Sequence, residues 1–283
     1  MMLLVPSDVL RPRRPDAHFA AEASAARASG IEVALIDHDA LATSAGARQA
    51  VCRVPAGDDA VYRGWMLRSE QYAAFADALA QRGVTLRTTA EQYRRAHELP
   101  GWYSSLAAVT PRSVWTVGDD RAAFDRARSD LGPGPAVLRD YAKSMKHYWT
   151  EAAFIPELSD AEKSWAVASR FRELRAEDMV GGFVLRGFEN FTSDEVRTWW
   201  VDGRCRIIGP HPDNPPGAAV ADPDLTLVRP LVAALGLPFV TVDLVQRADG
   251  GWRVVEIGDG QVSDRPEAIT PEAMITMLQS GAS

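Results

Sequence analysis

Two Asp-Gly dipeptides, Asp202-Gly203 and Asp249-Gly250, each sit between runs rich in Val, Trp and Phe. Asp and Gly tolerate the left-handed backbone that two-residue hairpin loops need, so each pair predicts two joined antiparallel strands. The chain after Gly181 is therefore expected to form antiparallel sheet. The first ninety residues carry the opposite pattern. A strand around Val5, an Ala-rich helix over 17–29, a β-branched run over 31–37, a strand over 60–67, a helix over 69–82 and a short strand over 84–86 follow one another. Alternation of this kind predicts a small parallel sheet with helices on its faces. The expected fold class is α/β with an α+β second half, divided near residue 115. Between the two patterns, helices are expected over 92–106, 119–130 and 159–176, the last opened by a capping-box spacing of Ser159 and Glu162, and a strand over 135–141.

The stretch "FVTVDLVQRADGGWRVVEIGDGQ", residues 239–261, holds the most chemistry. With Asp249 and Gly250 as a two-residue loop, cross-strand partners sum to 499, which sets Asp243 opposite Glu256. Their Cβ atoms would then lie roughly 4.5–5.5 Å apart, between the apolar neighbours Val242, Leu244, Val255 and Ile257. Like charges so placed need compensation. Either one carboxyl keeps its proton, or a divalent cation sits between them. With no His or Cys near in sequence, hard oxygen ligands point to Mg²⁺, which a few carboxylates and substrate phosphates usually hold. Asp259 and Gln261, just past the strand, add oxygens.

Cations recur in the same half. Arg139, Tyr141 and Lys143 fall on one face if 135–143 is extended, and Arg186 ends the apolar run "GGFVLRG". Glu195, Arg197, Trp199 and Val201 share a face of the hairpin about Asp202-Gly203. An arginine inside an apolar strand needs an anionic partner. Four cations beside a carboxylate pair fit a phosphate site, where Arg gives bidentate contacts and Lys a point charge.

Charge narrows the partners. The 283 residues carry a net charge of −7, with 13 basic and 12 acidic residues over 1–115 and 18 and 26 over 116–283. A nucleic-acid scaffold needs the reverse balance, so none is expected. Cys52 and Cys205 lie far apart, excluding a disulfide framework and a thiolate zinc site. No run approaches ~18 apolar residues, so no membrane span is expected and the cytoplasm is the expected compartment. P-loop, GxGxxG, HExxH and GxSxG motifs are absent.

Together, the strand Asp, the hairpin and the Glu of "VVEIGDGQ" resemble the metal-binding end of the ATP-grasp fold. The run "VLRDYAKS" resembles that family's first phosphate-contacting strand and loop. The arginine-bearing strands are similar to the ATP-grasp clade named for two arginines and a lysine. The resemblance implies a preceding α/β substrate-side domain over 1–115 and an ATP-grasp domain over 116–283, with lobes 116–180 and 181–283. By the same resemblance Arg139 and Lys143 reach the ATP phosphates, and Arg186, Gly187 and Phe188 form the hinge against adenine. Arg197, in one element with Glu195, matches a phosphate or acyl-phosphate contact, while Asp243 and Glu256 match Mg²⁺ ligands. The family's common Asn two positions after the Glu is Gly258 here, so Asp259 or Gln261 takes the third place. "SMKHYW" replaces the usual Gly-rich loop, with Lys146 helping.

The activity implied is ATP-dependent amide formation through an acyl phosphate, with Mg-ATP between two lobes and Arg197 and Lys143 catalytic. A small-molecule or peptide carboxylate and an amine would be the substrates, and Arg63, Trp65, Tyr93 and His97 would contact the acceptor. A phosphotransferase without amine acceptor and a non-catalytic nucleotide-binding module are the alternatives.

Overall fold

The structure, a computed structural model, describes residues 1–280 except 58, 216, 218 and 219 and the side chain of Ser44. Three four-stranded sheets organise them. Strands β1 (Met2–Pro6), β2 (Glu32–Ile36), β3 (Asp59–Tyr62) and β4 (Thr85–Leu86) form a parallel sheet in the order β2-β1-β3-β4, as the alternation predicts. Strands β5 (Ser113–Trp115), β6 (Ala136–Arg139), β7 (Phe154–Ile155) and β8 (Val184–Gly187) form an antiparallel sheet in the order β5-β8-β6-β7. Strands β9 (Val196–Val201), β10 (Arg204–Pro210), β11 (Phe239–Gln246) and β12 (Trp252–Asp259) form the third, in the order β10-β9-β11-β12.

The chain divides into two compact units. One comprises Met1–Ala96, Asp194–Leu244 and Glu256–Ser283; the other comprises His97–Ser193 and Val245–Val255. In the first, the parallel sheet buries Leu3, Val5 and Val61 in one core with Trp199, Val201 and Phe239, closed by Met274, Ile275 and Leu278. In the second, Phe124, Leu138, Phe171, Phe183 and Leu185 make a separate core. Aromatic and branched side chains fill both, and their removal from water is the main stabilising term.

Local departures from expectation have plain causes. The helix expected from Ser159 is Ala161–Arg175, and its N-cap is Asp160, whose side chain accepts the Lys163 N–H; the Ser159 hydroxyl donates to Glu157 instead. Two helices, Val228–Ala234 and Pro271–Gln279, stand where the sequence pattern predicts only antiparallel sheet. The strand expected over 135–141 stops at Arg139. Among the described residues, no helix is long and apolar enough to cross a membrane.

Candidate functional site

The hairpin about Asp202-Gly203 forms as expected. Asp202 and Gly203 both take positive φ, 49° and 71°, and Val201 pairs with Arg204. A bulge between Cys205 and Ile207 then shifts the register by one residue, so Arg197 pairs with Gly209 and Val196 with Pro210. Continuing that register, the His211 N–H donates to the Glu195 carbonyl at 3.1 Å, which brings the His211 ring to the Glu195 side chain.

The second hairpin closes differently. Arg247 N–H donates to the Gly251 carbonyl and Gly250 N–H to the Arg247 carbonyl, both at 2.9 Å, with Gly250 at φ 85°. This is a three-residue loop with a glycine bulge, in place of the two-residue loop on which the 499 register rests. The neighbour directly opposite Asp243 on β9 is Arg197. Its guanidinium forks onto the carboxylate, Nε to Oδ1 and Nη2 to Oδ2, both at 2.8 Å. The buried carboxylate thus has an arginine as its compensation, a third solution beside the retained proton and the metal that the sequence suggests.

Around this pair lie three more groups. Arg197 Nη2 approaches His211 Nε2 at 2.8 Å; since a guanidinium only donates, that ring nitrogen is the acceptor. His211 Nε2 stands 3.5 Å from Asp243 Oδ2 and 3.7 Å from Glu195 Oε2. Burial alone would lower the Arg197 pKa, but Asp243, then Glu256 and Glu195, outweigh it and raise the pKa, so the guanidinium keeps its charge. One donor atom each from Glu195, His211 and Asp243 falls within 4.8 Å of the others. The carboxylate oxygens of this set fit a hard divalent cation such as Mg²⁺, and the imidazole nitrogen widens the choice to softer ions. Because Asp243 is 3% exposed, Arg197→Met is expected to cost about 3–5 kcal/mol. Adding Asp243→Leu should restore much of that loss, as read by urea unfolding.

Asp259 and Gln261 take another place. Asp259 is fully buried, and its Oδ1 accepts the Gln261 N–H at 2.8 Å. The Gln261 side chain accepts from the Tyr62 N–H at 3.0 Å and donates to the Tyr72 hydroxyl at 2.8 Å. Both residues hold the end of β12 against the parallel sheet, and neither joins the three-residue donor set. Glu256 is half-buried and acts on Arg197 through its charge.

In the second unit, Lys143 is exposed on a tight turn after β6 rather than on an extended run with Arg139. Buried Asp140 builds that turn: its Oδ1 accepts the N–H groups of Ala142 and Lys143, and its Oδ2 accepts Arg175 Nε at 2.9 Å. Arg139, 5% exposed, donates to the Ala142 carbonyl at 2.8 Å. Arg186 donates to the Val255 carbonyl at 2.5 Å and the Thr110 hydroxyl at 2.7 Å. Backbone and hydroxyl oxygens meet these two guanidinium groups where the sequence suggests a phosphate. Past Arg186 and Gly187, the ring of Phe188 packs edge-on to Phe154 at 5.3 Å, and Phe154 stacks on Trp149 at 5.3 Å. Trp149 and Phe188 stay 40% and 38% exposed, an apolar surface of aromatic rings that a purine could use.

A sequence profile for the ATP-grasp domain, family 3 of the clade named for two arginines and a lysine, matches residues 130–278, more than half of the chain. The chain belongs to this family. Solved structures share its fold over nearly the full length. The RimK domain protein ATP-grasp from Sphaerobacter thermophilus DSM 20745 aligns at 17% identity and TM-score 0.61, covering 98% of this chain and 99% of that one. The ATP-grasp ligase PsnB, complexed with minimal precursor, Mg and ADP, aligns at 16% and 0.58, covering 99% and 97%. D-cycloserine synthetase DcsG aligns at 18% and 0.58, covering 99% of each chain. At these identities the likeness is one of fold. No curated protein sequence matches. The ATP-grasp segment contains Glu195, Arg197, His211, Asp243 and Glu256 as well as Lys143 and Phe188. His211, Asp140, Trp149 and Phe154 are not singled out by the sequence reading; of these, Asp140 lies within the run "VLRDYAKS" and Trp149 within the loop "SMKHYW".

Proposed function

We propose that this ATP-grasp chain is an ATP-dependent ligase that phosphorylates a carboxylate substrate and passes the acyl group to an amine, forming an amide. The observation that carries this reading is the convergence of Arg197, Asp243 and Glu256, on strands of one sheet, with Glu195 and His211 at the ends of its β9 and β10, inside the family segment. The PsnB complex with Mg and ADP supports the use of Mg-ATP. Residues 1–115 serve as the substrate-side domain, and 116–283 supply the nucleotide-side groups.

In this mechanism Asp243 and Glu256 would hold Mg²⁺ with Glu195 beside them, and the ion would supply charge neutralisation for the phosphoryl group. Arg197, held charged by its carboxylates, faces the anions that build up as the acyl phosphate forms and breaks. Lys143 contributes a point charge from the turn that Asp140 fixes. Gly187 and Phe188 present the hinge, with Trp149 and Phe154, to adenine. Arg139 and Arg186 act as posts for these segments.

Purified protein with ATP, Mg²⁺, candidate acids and amines is expected to release ADP and yield an amide only when acid and amine are both present. ADP with acid alone would make the chain a phosphotransferase, and ATP binding without any turnover would make it a binding module. Asp243→Asn and Glu256→Gln should each lower turnover by roughly 10²–10³. Lys143→Ala should weaken ATP binding about tenfold to a hundredfold, the worth of one charged hydrogen bond, with unchanged unfolding because Lys143 is exposed.

A further inference from the structure

A cavity of about 360 Å³ opens in the first unit at the carboxyl ends of the parallel strands. Ser7 and Asp8 follow β1, Asp37 to Asp39 follow β2, and Trp65 follows β3; all line it. In the order β2-β1-β3-β4 the chain passes from β1 to one edge for β2 and from β3 to the other edge for β4, so strand order reverses between β1 and β3. Open α/β sheets bind ligands at that reversal, and the volume suits a small molecule.

The lining states what charge it takes. Asp8, Asp16, Asp37 and Asp39 face Arg53, whose Nη1 donates to the Pro12 carbonyl at 2.6 Å. Among the described residues these carboxylates do not bring three ligand atoms within the 4.8 Å that a single metal ion needs; the set that does is Glu195, His211 and Asp243. A negative cavity with dispersed oxygens suits an organic cation. Trp65, 37% exposed, gives it an aromatic wall, packed on His18 at 4.5 Å and Phe19 at 4.9 Å.

His38 supplies an acceptor. Its Nδ1 lies 3.0 Å from the Tyr62 hydroxyl, which itself donates to the Trp65 carbonyl at 2.9 Å. The single hydroxyl proton is thereby used, so Nδ1 carries the ring proton and Nε2 keeps its lone pair. Burial lowers the His38 pKa, against the pull of Asp39, Asp37 and Asp16, and the ring is neutral at pH 7. A relay of contacts links the cavity's Trp65 to the Arg197 cluster. Trp65 packs on His18, His18 Nε2 meets Asp264 Oδ1 at 2.9 Å, and the Asp264 carbonyl accepts from Arg197 at 3.5 Å.

We infer that this cavity is the binding site for the nitrogen substrate, a small organic ammonium compound, with the Asp16, Asp37 and Asp39 carboxylates and His38 Nε2 receiving its N–H groups. The inference rests on the ligase reading for its role, and on the cavity alone for its ligand class. Isothermal titration of the full chain with putrescine and L-lysine should show saturable binding, absent for succinate and 1,4-butanediol. Asp39→Asn, at an exposed position, Asp16→Asn and His38→Gln should each weaken binding at least tenfold, while affinity for a non-hydrolysable ATP analogue with Mg²⁺ stays unchanged. Failure of both ammonium probes to bind, equal binding of succinate, or binding indifferent to all three substitutions would overturn it. Ammonium binding in a protein with no ATP turnover leaves the site standing and removes the ligase reading; turnover with amines that ignores the cavity substitutions does the reverse.

Discussion

Arg63→Leu is expected to lower stability by about 3–5 kcal/mol, among the largest effects of any single substitution in this chain. Arg63 is 1% exposed and forks onto Glu22, Nε to Oε2 at 2.8 Å and Nη2 to Oε1 at 3.0 Å. Its Nη1 also donates to the carbonyls of Gly260, Gln261 and Ser263 at 2.6, 3.1 and 3.0 Å. Burial works to raise the Glu22 pKa, yet Arg63, with Arg265 behind it, lowers it overall, so Glu22 is ionised. Removing the guanidinium leaves that buried charge with only Arg265 at 3.4 Å and strips three carbonyls of their donor. At roughly 2–4 °C per kcal/mol, the melting temperature should fall about 10 °C. The double substitution Arg63→Leu with Glu22→Leu should be less destabilised than Arg63→Leu alone. Equal or greater loss in the double variant would show that packing, and not the stranded carboxylate, carries the effect.

Asp259→Asn should have the opposite sign. Burial pushes the Asp259 carboxyl up to about 7, and hydrogen bonding with Gln261, with smaller pulls from the Thr88 hydroxyl and the Arg63 charge, offsets only part of that. A carboxyl in the unfolded chain releases its proton at about 3.9. Between those values the folded state binds the proton and the unfolded state does not, so this group makes stability fall as pH rises from about 4 to 7. Above pH 7 the full difference, about 4 kcal/mol at roughly 1.36 kcal/mol per unit, counts against folding. Asparagine keeps an oxygen for the Gln261 N–H and has nothing to ionise. The variant should therefore unfold at higher urea than wild type at pH 8 and match it more closely at pH 5. A wild-type-like pH profile in the variant would remove Asp259 as the source.

Much of this is legible without coordinates. Asp202-Gly203 announces its hairpin because two positive-φ positions in a row admit few other residues. Asp249-Gly250 announces a hairpin too, but not its length, since the neighbouring Gly251 lets the loop take a third residue and undoes a register counted from the turn. Asp243 reads as a buried charge needing compensation, whereas Arg197 becomes its partner only through the β9–β11 pairing, across 46 residues of sequence. His211 is hidden for a similar reason. A simple hairpin sets it one place off Glu195, and the bulge after Cys205 corrects that place. The helix Pro271–Gln279 has its start signal in Thr270-Pro271, with Thr270 capping the Ala273 N–H, a signal masked by the stronger sheet pattern before it. Arg63 and its carbonyls are separated by about 200 residues, beyond any local rule.

The segment 260–263 that Arg63 grips is made some two hundred residues after Arg63 itself, and later still than Glu22. During synthesis the parallel sheet must wait, with an ionised Glu22 in its core and an arginine short of acceptors, until that stretch has emerged. Such long-range closure is slow and leaves apolar edges exposed meanwhile. The intervening unit, with its own core, can form in that interval, so this chain should fold from the middle outward and acquire its proposed amine pocket and donor cluster as a final, concerted step.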